Sequence, residues 1–323
     1  MASNSIAKTT EKKSHSAFFT FLKRLIKEQP LGAVGAAITL LLLLVGIFAG
    51  LIAPYGMNQP SADLLAHPSF AHWLGTDNLG RDMLSRIIYG ARISVIVGLS
   101  GSAIAVVTST FIGIVSGYIG GALDLIVQRV VDAWMCIPAL ILSIVLISIL
   151  GPGMWQVTIV VGLNLGIINS RVIRSATINI RENIYLQAAE AIGCSTPRIL
   201  MRHILPNVMA YIIILFSTLV PTVILVEANL SFLGYGVPPP AASWGGMLSG
   251  SARTLMFSDP MLVFWPGLAL SVVVYGVNMF GDALRDLLDP RLKGSSGRYG
   301  GKVKKHLFKK QSPVLKKNVG ESG

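Results

Sequence analysis

Residues 31–53 read LGAVGAAITLLLLLVGIFAGLIA, a stretch without a charged residue. About 20 consecutive apolar residues are enough for an α-helix to cross the hydrocarbon core of a bilayer. The run is too long for the hydrophobic region of a cleaved signal peptide, and Pro54 follows it directly. It therefore predicts an uncleaved first transmembrane helix.

The composition of the whole chain agrees with this interpretation. Of the 323 residues, 52% are hydrophobic and only 13% are charged, and the mean hydropathy is +0.65. A typical soluble domain carries about a quarter charged residues. The chain has too little polar surface to face water on all sides, which excludes an ordinary soluble enzyme and indicates a polytopic membrane protein.

Further charge-free stretches long enough for membrane helices follow, at residues 93–115, 133–150, 154–170, 204–226 and 260–281. Gly151-Pro152-Gly153 supplies a turn between the second and third of these stretches. Long apolar runs, rather than ten-residue alternations, favour helices over the strands of a barrel. The predicted fold is all-α, a polytopic bundle of six transmembrane helices.

The basic residues predict how this bundle is oriented. If the N-terminus is cytoplasmic, all of the 27 Lys and Arg residues lie on the cytoplasmic side except Arg81, Arg86, Arg92 and Arg253. Cytoplasmic segments of membrane proteins carry an excess of Lys and Arg, so both termini are predicted to be cytoplasmic. The net charge of +12 is then a mark of the cytoplasmic face, and no nucleic-acid partner is predicted.

This orientation divides the chain into segments of different character. They are a cytoplasmic basic N-terminus (1–30), a first transmembrane helix (31–53), an outer loop (54–92), a core with five transmembrane helices (93–281) and a basic cytoplasmic tail (282–323). The tail is rich in Lys, Gly and Ser, which predicts that it is largely disordered. It either contacts anionic membrane lipid or is simply solvated.

The loop between the fourth and fifth helices, residues 171–207, has the most informative pattern. Residues 183–192 favour a helix, and Gly193 stands where a left-handed helix end is needed. Pro197 then fits the first turn of a second helix, and Pro206 precedes the fifth span. We expect two short helices joined at a glycine corner, which either dock on another protein or pack only against their own bundle.

The same loop resembles the signature loop of ATP-binding-cassette (ABC) importer permeases. That signature is Glu-Ala-Ala, three residues, Gly, and then Leu-Pro about a dozen residues later. The residues that match it here are Gln187-Ala188-Ala189, Gly193 and Leu205-Pro206. Gln187 replaces the acidic first residue, so any ion pair that other members make at this position is absent.

Longer motifs are similar to those of one subfamily, the C-type permease subunits of dipeptide, oligopeptide and nickel transporters. In chain order they are GTDNLGRD (75–82), SR (85–86), GAR (90–92), RHILPN (202–207), EANLSFLG (227–234), GDALRD (281–286) and LDPR (288–291). The resemblance covers residues 31–293. Several long motifs in the same order make agreement by chance improbable.

The resemblance implies the type I ABC importer permease fold and a set of partners. The subunit would form a heterodimer with a B-type permease and work with two cytoplasmic ATPase subunits and an extracytoplasmic solute-binding protein. The complex would lie in a bacterial or archaeal plasma (inner) membrane and import peptides or a similar small solute. ATP binding would close the ATPase pair, pull the loop at residues 187–202 and turn the bundle from inward-facing to outward-facing.

The resemblance also assigns residues to the loop that couples the permease to its ATPases. They are Gln187, Ala188, Ala189, Gly193, Pro197, Arg198, Arg202, Leu205 and Pro206. On the outer side, Arg81, Asp82 and Arg86 either form ion pairs that fix the outer loop or contact the binding protein. Trp244 lies in the second outer loop, which either presents a docking surface or plugs the mouth of the bundle. The competing interpretation is that Trp244 anchors the loop at the membrane interface.

The chain's own chemistry predicts no catalysis. No G-x-x-x-x-G-K-[ST] phosphate loop occurs, and the nearest sequence, GGKV at 300–303, lacks the first glycine and the hydroxyl. Zinc-binding patterns are absent, so no metal, cofactor or catalytic residue is expected. The alternative function is an ion-coupled secondary transporter acting alone, but it requires ionisable residues in mid-span, and the spans have almost none.

Overall fold

The computed structural model describes residues 17–288, and the side chains of residues 23–288 except Ser251. This part of the chain is almost entirely helical. It contains no β-strand, and its only extended pairings are isolated bridges between Pro60 and Arg81 and between Thr76 and Asp82. The predicted all-α fold is therefore confirmed, whereas the basic segments at 1–16 and 289–323 lie outside the described residues.

The helices, in chain order, are α1 (Ala17–Glu28), α2 (Pro30–Ile47), α3 (Ala49–Ile52), α4 (Met83–Ile119), α5 (Gly121–Met135), α6 (Ala139–Leu150), α7 (Met154–Arg181), α8 (Ile184–Ala191), α9 (Thr196–Ile199), α10 (Leu205–Phe232), α11 (Trp244–Met247), α12 (Ser251–Leu255) and α13 (Met261–Leu288). A π-helical turn, Leu200–Ile204, joins α9 to α10. Five spans are long and apolar enough to cross a membrane: α2, α4, α7, α9 with α10, and α13.

The second span starts earlier than the sequence predicts. Helix α4 begins at Met83, ten residues before the predicted start of this span, because Asp82 caps it: the Asp82 carboxylate accepts a hydrogen bond from the Ser85 backbone N–H at 2.8 Å. The predicted outer loop, 54–92, therefore ends at Asp82. With 37 residues, α4 is roughly 55 Å long and extends beyond the hydrocarbon core of a bilayer.

The prediction that the third span is one helix over residues 133–150 is wrong, because two helices, α5 and α6, share this region. Helices α5 and α6 are bent by 87° relative to each other. If the bent pair counts as one span, it is the third crossing along the chain and brings the total to six. Pro138, the residue before α6, has no backbone N–H to continue the hydrogen bonding of α5. Hydropathy does not detect this break because the residues on both sides of it are apolar.

Asn164 of α7 joins the two sides of this break. Its side-chain oxygen accepts from the indole N–H of Trp134 in α5 at 3.0 Å. Its nitrogen donates to the carbonyl of Ala139 at 3.0 Å and to the hydroxyl of Ser143 at 3.2 Å, both in α6. Asn164 is buried, so these bonds satisfy a polar group that would otherwise be costly in an apolar interior.

The most extensive helix–helix contact is between α4 and α7. Glycines let the two backbones approach closely, as is common between membrane helices. A Cβ atom added at Gly113 of α4 would lie 2.6 Å from the Ser170 carbonyl oxygen, and one added at Gly162 of α7 would lie 2.8 Å from the Gly101 carbonyl oxygen. Helix α10 packs against this pair, and α2 packs against α13.

Candidate functional site

The loop at the end of α7 turns at a glycine. Gly193 has a φ of +80°, the left-handed conformation that the sequence predicts for it. Its N–H donates to the Glu190 carbonyl at 2.9 Å, and the N–H of Cys194 donates to the Ala189 carbonyl at 3.1 Å. These bonds close the end of α8, so the corner is set by the backbone rather than by side-chain packing.

The second half of the loop differs from the prediction of a separate short helix. Helix α9 runs through the π-helical turn Leu200–Ile204 into α10 without a break. Pro206 lies in the first turn of α10 and has no N–H to donate to the preceding turn. The wider π-helical turn provides space for the proline ring, so the chain stays helical where the sequence predicts an interruption.

The loop buries one face and exposes the other. Leu186, Ile199 and Ile204 are buried in a cluster with residues of α4, α7 and α10. Ile184 and Ile192, at the two ends of α8, are 82% and 81% exposed. Large apolar side chains with this exposure form a surface suited to contact with another protein.

The predicted coupling residues lie on both faces of the loop. Those with exposed side chains or backbone are Gln187, Ala188, Gly193, Pro197, Arg198, Arg202 and Pro206. Ala189 is buried and Leu205 is half-buried. The predicted set therefore combines residues that face outward with two that attach the loop to its own bundle.

A contact that the sequence did not predict connects the loop to α4. The Tyr118 hydroxyl donates to the Glu190 carboxylate at 2.9 Å, and the Arg181 guanidinium lies 5.7 Å from the centre of the Tyr118 ring. An open cavity of about 450 Å³ adjoins these side chains and is also lined by Gln187 and Glu182. Tyr118 and Glu190 are 72 positions apart, so no local pattern could have paired them.

Two ion pairs hold α5 against α7 near the same end of the bundle. Both side-chain nitrogens of the Arg174 fork donate to the Asp124 carboxylate, at 2.6 and 2.5 Å. Arg171 also pairs with Asp132, through one side-chain nitrogen only. Two parallel hydrogen bonds fix the orientation of the two side chains as well as their distance. The first turns of α5 are therefore held in place against α7.

A second polar cluster lies at the opposite end of α4. We call it the Asp77 cluster; it comprises His72, Asp77, Arg81, Asp82, Ser85 and Arg86. Arg81 pairs with Asp77 at 2.7 Å, and His72 contacts Asp82 at 2.9 Å. The ion pair of Arg81 and the contact of Asp82 with His72 hold the preceding loop against α4. The partners Asp77 and His72 were not singled out from the sequence.

Trp244 is in the interior, not on the outer surface that the predicted docking and interface-anchoring roles require. It is 2% exposed, and its indole N–H donates to the Ile87 carbonyl at 3.0 Å. Gly90 makes room for the ring, because a Cβ added there would lie 2.6 Å from Trp244. The residue attaches the short helix α11 to α4.

Glu227 is buried inside α10 and accepts a hydrogen bond from the Ser231 hydroxyl at 2.6 Å. Ser243, the residue that caps α11, is its second side-chain partner. Both partners lie close to the end of the span, so Glu227 anchors the following loop.

Residues 17–288 contain no group of three His, Cys, Asp or Glu side chains that could hold a metal ion. Cys136 and Cys194 are free thiols. The candidate site therefore consists of a surface loop with its internal contacts, together with the Asp77 cluster at the other end of α4. Its geometry is suited to transmitting movement between helices.

Comparisons with known proteins identify the family. Residues 109–294 match the family described as "Binding-protein-dependent transport system inner membrane component". The dipeptide transport system permease protein DppC of Alkalihalophilus pseudofirmus is 40% identical over 83% of this chain and 88% of its own length. The oligopeptide permease protein OppC of Bacillus subtilis is 36% identical over 89% and 94%, and the glutathione permease protein GsiD of Pectobacterium atrosepticum is 36% identical over 84% and 91%.

A solved structure shares the fold. A chain from the inward-facing MetNI methionine ABC transporter superposes with a TM-score of 0.53, at 16% identity, over 64% of this chain and 98% of its own length. Permease subunits are transport components rather than enzymes, and ABC importers work with ATPases and a binding protein, as the sequence resemblance implied. This chain therefore belongs to the binding-protein-dependent inner-membrane permeases of ABC importers, among their C-type subunits.

Proposed function

We propose that this chain forms half of the transmembrane pathway of an ATP-driven importer, as the partner of a B-type permease, and that residues 171–207 receive the movement of an ATPase subunit. The exposed apolar side chains of Ile184 and Ile192, on either side of the α8 surface, carry this proposal. They are held on a glycine-ended helix whose inner face is packed into the bundle. A push on this surface is therefore transmitted to the spans rather than absorbed by a flexible loop.

The distribution of charge supports the orientation in which both termini and this loop are cytoplasmic. The names of the relatives support peptides as the solute, with dipeptides, oligopeptides and glutathione represented. The outer side would then receive the solute from a binding protein. The pathway itself contributes no hydrolysis, so the energy comes from the partner ATPases.

Cysteine cross-linking tests the coupling surface in the assembled complex. Cys136 and Cys194 are first replaced by Ser, because Cys194 lies in the loop itself. Gln187→Cys is then expected to form a cross-link to an ATPase subunit, whereas the exposed Ser258→Cys at the other end of the bundle is not. Cross-linking of Gln187→Cys only to lipid or to this chain, or peptide uptake by the purified chain without ATP, would contradict the proposal.

A further inference from the structure

Arg86, in the Asp77 cluster, is a buried cation without a close counterion. Its side chain is 8% exposed. Its contacts are with the Asp77 carboxylate at 3.6 Å, the Met57 carbonyl at 3.5 Å and the Asn58 side chain at 3.3 Å. Hydrogen bonds between charged groups are normally about 2.7–2.9 Å long, so each of these contacts is long.

The Asp77 carboxylate cannot compensate Arg86 because Arg81 already occupies it. Both Nε and Nη2 of Arg81 lie 2.7 Å from the same oxygen, Oδ2. The other oxygen accepts the backbone N–H groups of Leu79 and Arg81, at 2.9 and 3.0 Å. One carboxylate therefore faces two guanidinium groups, and Arg86 has the longer and weaker of the two ion pairs.

The second acid of the cluster is also occupied. Asp82 contacts His72 through Oδ1 at 2.9 Å. Its Oδ2 accepts from the backbone N–H of Ser85 at 2.8 Å and from the Ser85 hydroxyl at 2.7 Å. Neither oxygen is free to approach Arg86. Burying a charge without compensation is costly, so the site favours an additional anion.

A cavity next to Arg81 and Arg86 has room for an additional anion. It has a volume of about 70 Å³, and its polar lining comes from Asp77, Asn78, Arg81, Arg86 and Ser249. The one carboxylate on this wall, Asp77, is already paired with Arg81. Met247 and Leu262, both buried, form part of its apolar side. A single water molecule needs about 10–15 Å³ on this measure, so a carboxylate group fits.

We propose that this cavity binds a carboxylate, through the guanidinium of Arg86 with Arg81 beside it. A planar carboxylate matches the fork of a guanidinium and would supply the missing counter-charge. The cavity lies at the end of α4 away from the loop at residues 171–207, where the proposed function places the arriving solute. The carboxylate would come either from the C-terminus of a peptide or from an acidic side chain of the binding protein.

A binding test needs neither the ATPases nor transport. The melting midpoint of the purified chain in nanodiscs is measured in sodium acetate and in sodium chloride of equal ionic strength. We expect acetate to raise the midpoint of the natural chain and of Arg92→Gln, which removes an exposed positive charge from the same helix, but not that of Arg86→Gln. No shift in the natural chain, or equal shifts in all three, would overturn the proposal.

A cavity-filling variant covers the case in which Arg86→Gln does not fold. Ala252 lines the cavity and is 8% exposed, so Ala252→Leu fills space without removing either arginine. It is expected to abolish the acetate shift while the chain still gives a cooperative melting transition. A full acetate shift in Ala252→Leu would show that acetate acts elsewhere and would overturn the site.

Uptake and binding measurements on the assembled complex distinguish the two possible sources of the carboxylate. If a peptide supplies the carboxylate, the natural complex takes up a dipeptide faster than its C-terminal amide by roughly tenfold or more, and Arg86→Gln removes the difference. If the binding protein supplies it, Arg86→Gln weakens binding of that protein by a similar factor and both peptides are affected equally. If acetate stabilises the chain but Arg86→Gln changes neither the preference for the free peptide nor the binding of the binding protein, the cavity holds an adventitious ion only. That outcome would overturn the functional claim.

This inference rests on the proposed function only for the source of the carboxylate. If no complex, including the natural one, shows ATP-driven uptake, the proposed function fails, while the acetate experiment still decides whether the cavity binds an anion. If uptake is normal and acetate has no effect, the cavity proposal fails and the proposed function stands.

Discussion

Gly193 is required for its backbone conformation alone. Its φ is +80°, and a Cβ atom added there would meet no atom within 4 Å. We expect Gly193→Val to abolish ATP-driven uptake in the reconstituted complex while the subunit still inserts, because a β-branched residue resists the left-handed conformation by about 1–2 kcal/mol or more. Uptake and the amount of subunit in the membrane are measured together.

Gly193→Asn is the matched control, since asparagine tolerates the left-handed conformation better than other residues with a side chain. It should retain most of the uptake. Normal uptake by Gly193→Val would show that the corner is not needed for coupling. An equal loss in both variants would show that the added side chain, rather than the backbone, interferes.

The hydrogen bond between Tyr118 and Glu190 gives a second prediction at the scale of single residues. Hydrogen bonds to charged groups contribute about 1.5–3 kcal/mol, less when they are exposed as Glu190 is. Glu190→Gln leaves only a weaker, uncharged acceptor for the Tyr118 hydroxyl, and Tyr118→Phe removes the donor. Each should reduce the solute imported per ATP hydrolysed several-fold, because α8 is then held less firmly to α4. The ratio is measured from uptake and phosphate release in the same proteoliposomes.

Glu182→Gln provides the comparison, because Glu182 lines the same cavity and carries the same charge without a hydrogen bond to Tyr118. It should leave the ratio close to that of the natural chain. A loss as large as that of Glu190→Gln would show that the charge of the cavity matters and that the bond to Tyr118 does not.

Between helices, the close approach of α4 and α7 depends on Gly113. We expect Gly113→Ala to lower the free energy of unfolding by about 1–3 kcal/mol, because its methyl group would lie 2.6 Å from the Ser170 carbonyl oxygen and must push the helices apart. Gly267→Ala in α13 is the control, since its nearest neighbour would be at 3.8 Å. Thermal unfolding of the purified variants compares them, and similar midpoints would contradict the assigned packing.

The apolar runs in the sequence correctly indicated where the helices lie, but they did not indicate where the helices begin, bend or end. The first turns of α4 contain Arg86 and Arg92 and were therefore assigned to a loop; their helical state depends on the Asp82 cap and on burial against the preceding segment. The bend at Pro138 lies within a continuous apolar run. In both cases, local hydrogen bonding determines the boundary, and hydropathy does not register it.

The site was predictable to the extent that it is local in sequence. The glycine corner at Gly193 and the exposed loop follow from spacing and residue type. The bond from Tyr118 to Glu190 and the long, shared ion pair of Arg86 depend on which helices pack together, which one sequence does not reveal. The docking and anchoring roles of Trp244 were wrong because a tryptophan in a loop has the same local pattern whether it faces lipid or fills a gap beside a glycine.

For the molecule as a whole, the orientation and the bent α5–α6 pair can be tested together. Alkaline phosphatase fused at Gly151 or at Ser258 should be active, and a fusion after Leu288 should be inactive, because the enzyme folds only outside the cytoplasm. Green fluorescent protein at the same positions should give the opposite pattern. Activity at Ser258 but not at Gly151 would show that α5 and α6 do not cross the membrane as one span.

The shortness of α6 makes the third crossing sensitive to bilayer thickness. Its 12 residues extend for roughly 18 Å, whereas the hydrocarbon layer is about 30 Å thick. The lipid must thin beside α6, or the α5–α6 bend must open, and both cost more as acyl chains lengthen. Uptake should therefore be faster in vesicles of short-chain lipids than in long-chain ones; a rate independent of chain length would mean that α5 already fills the gap.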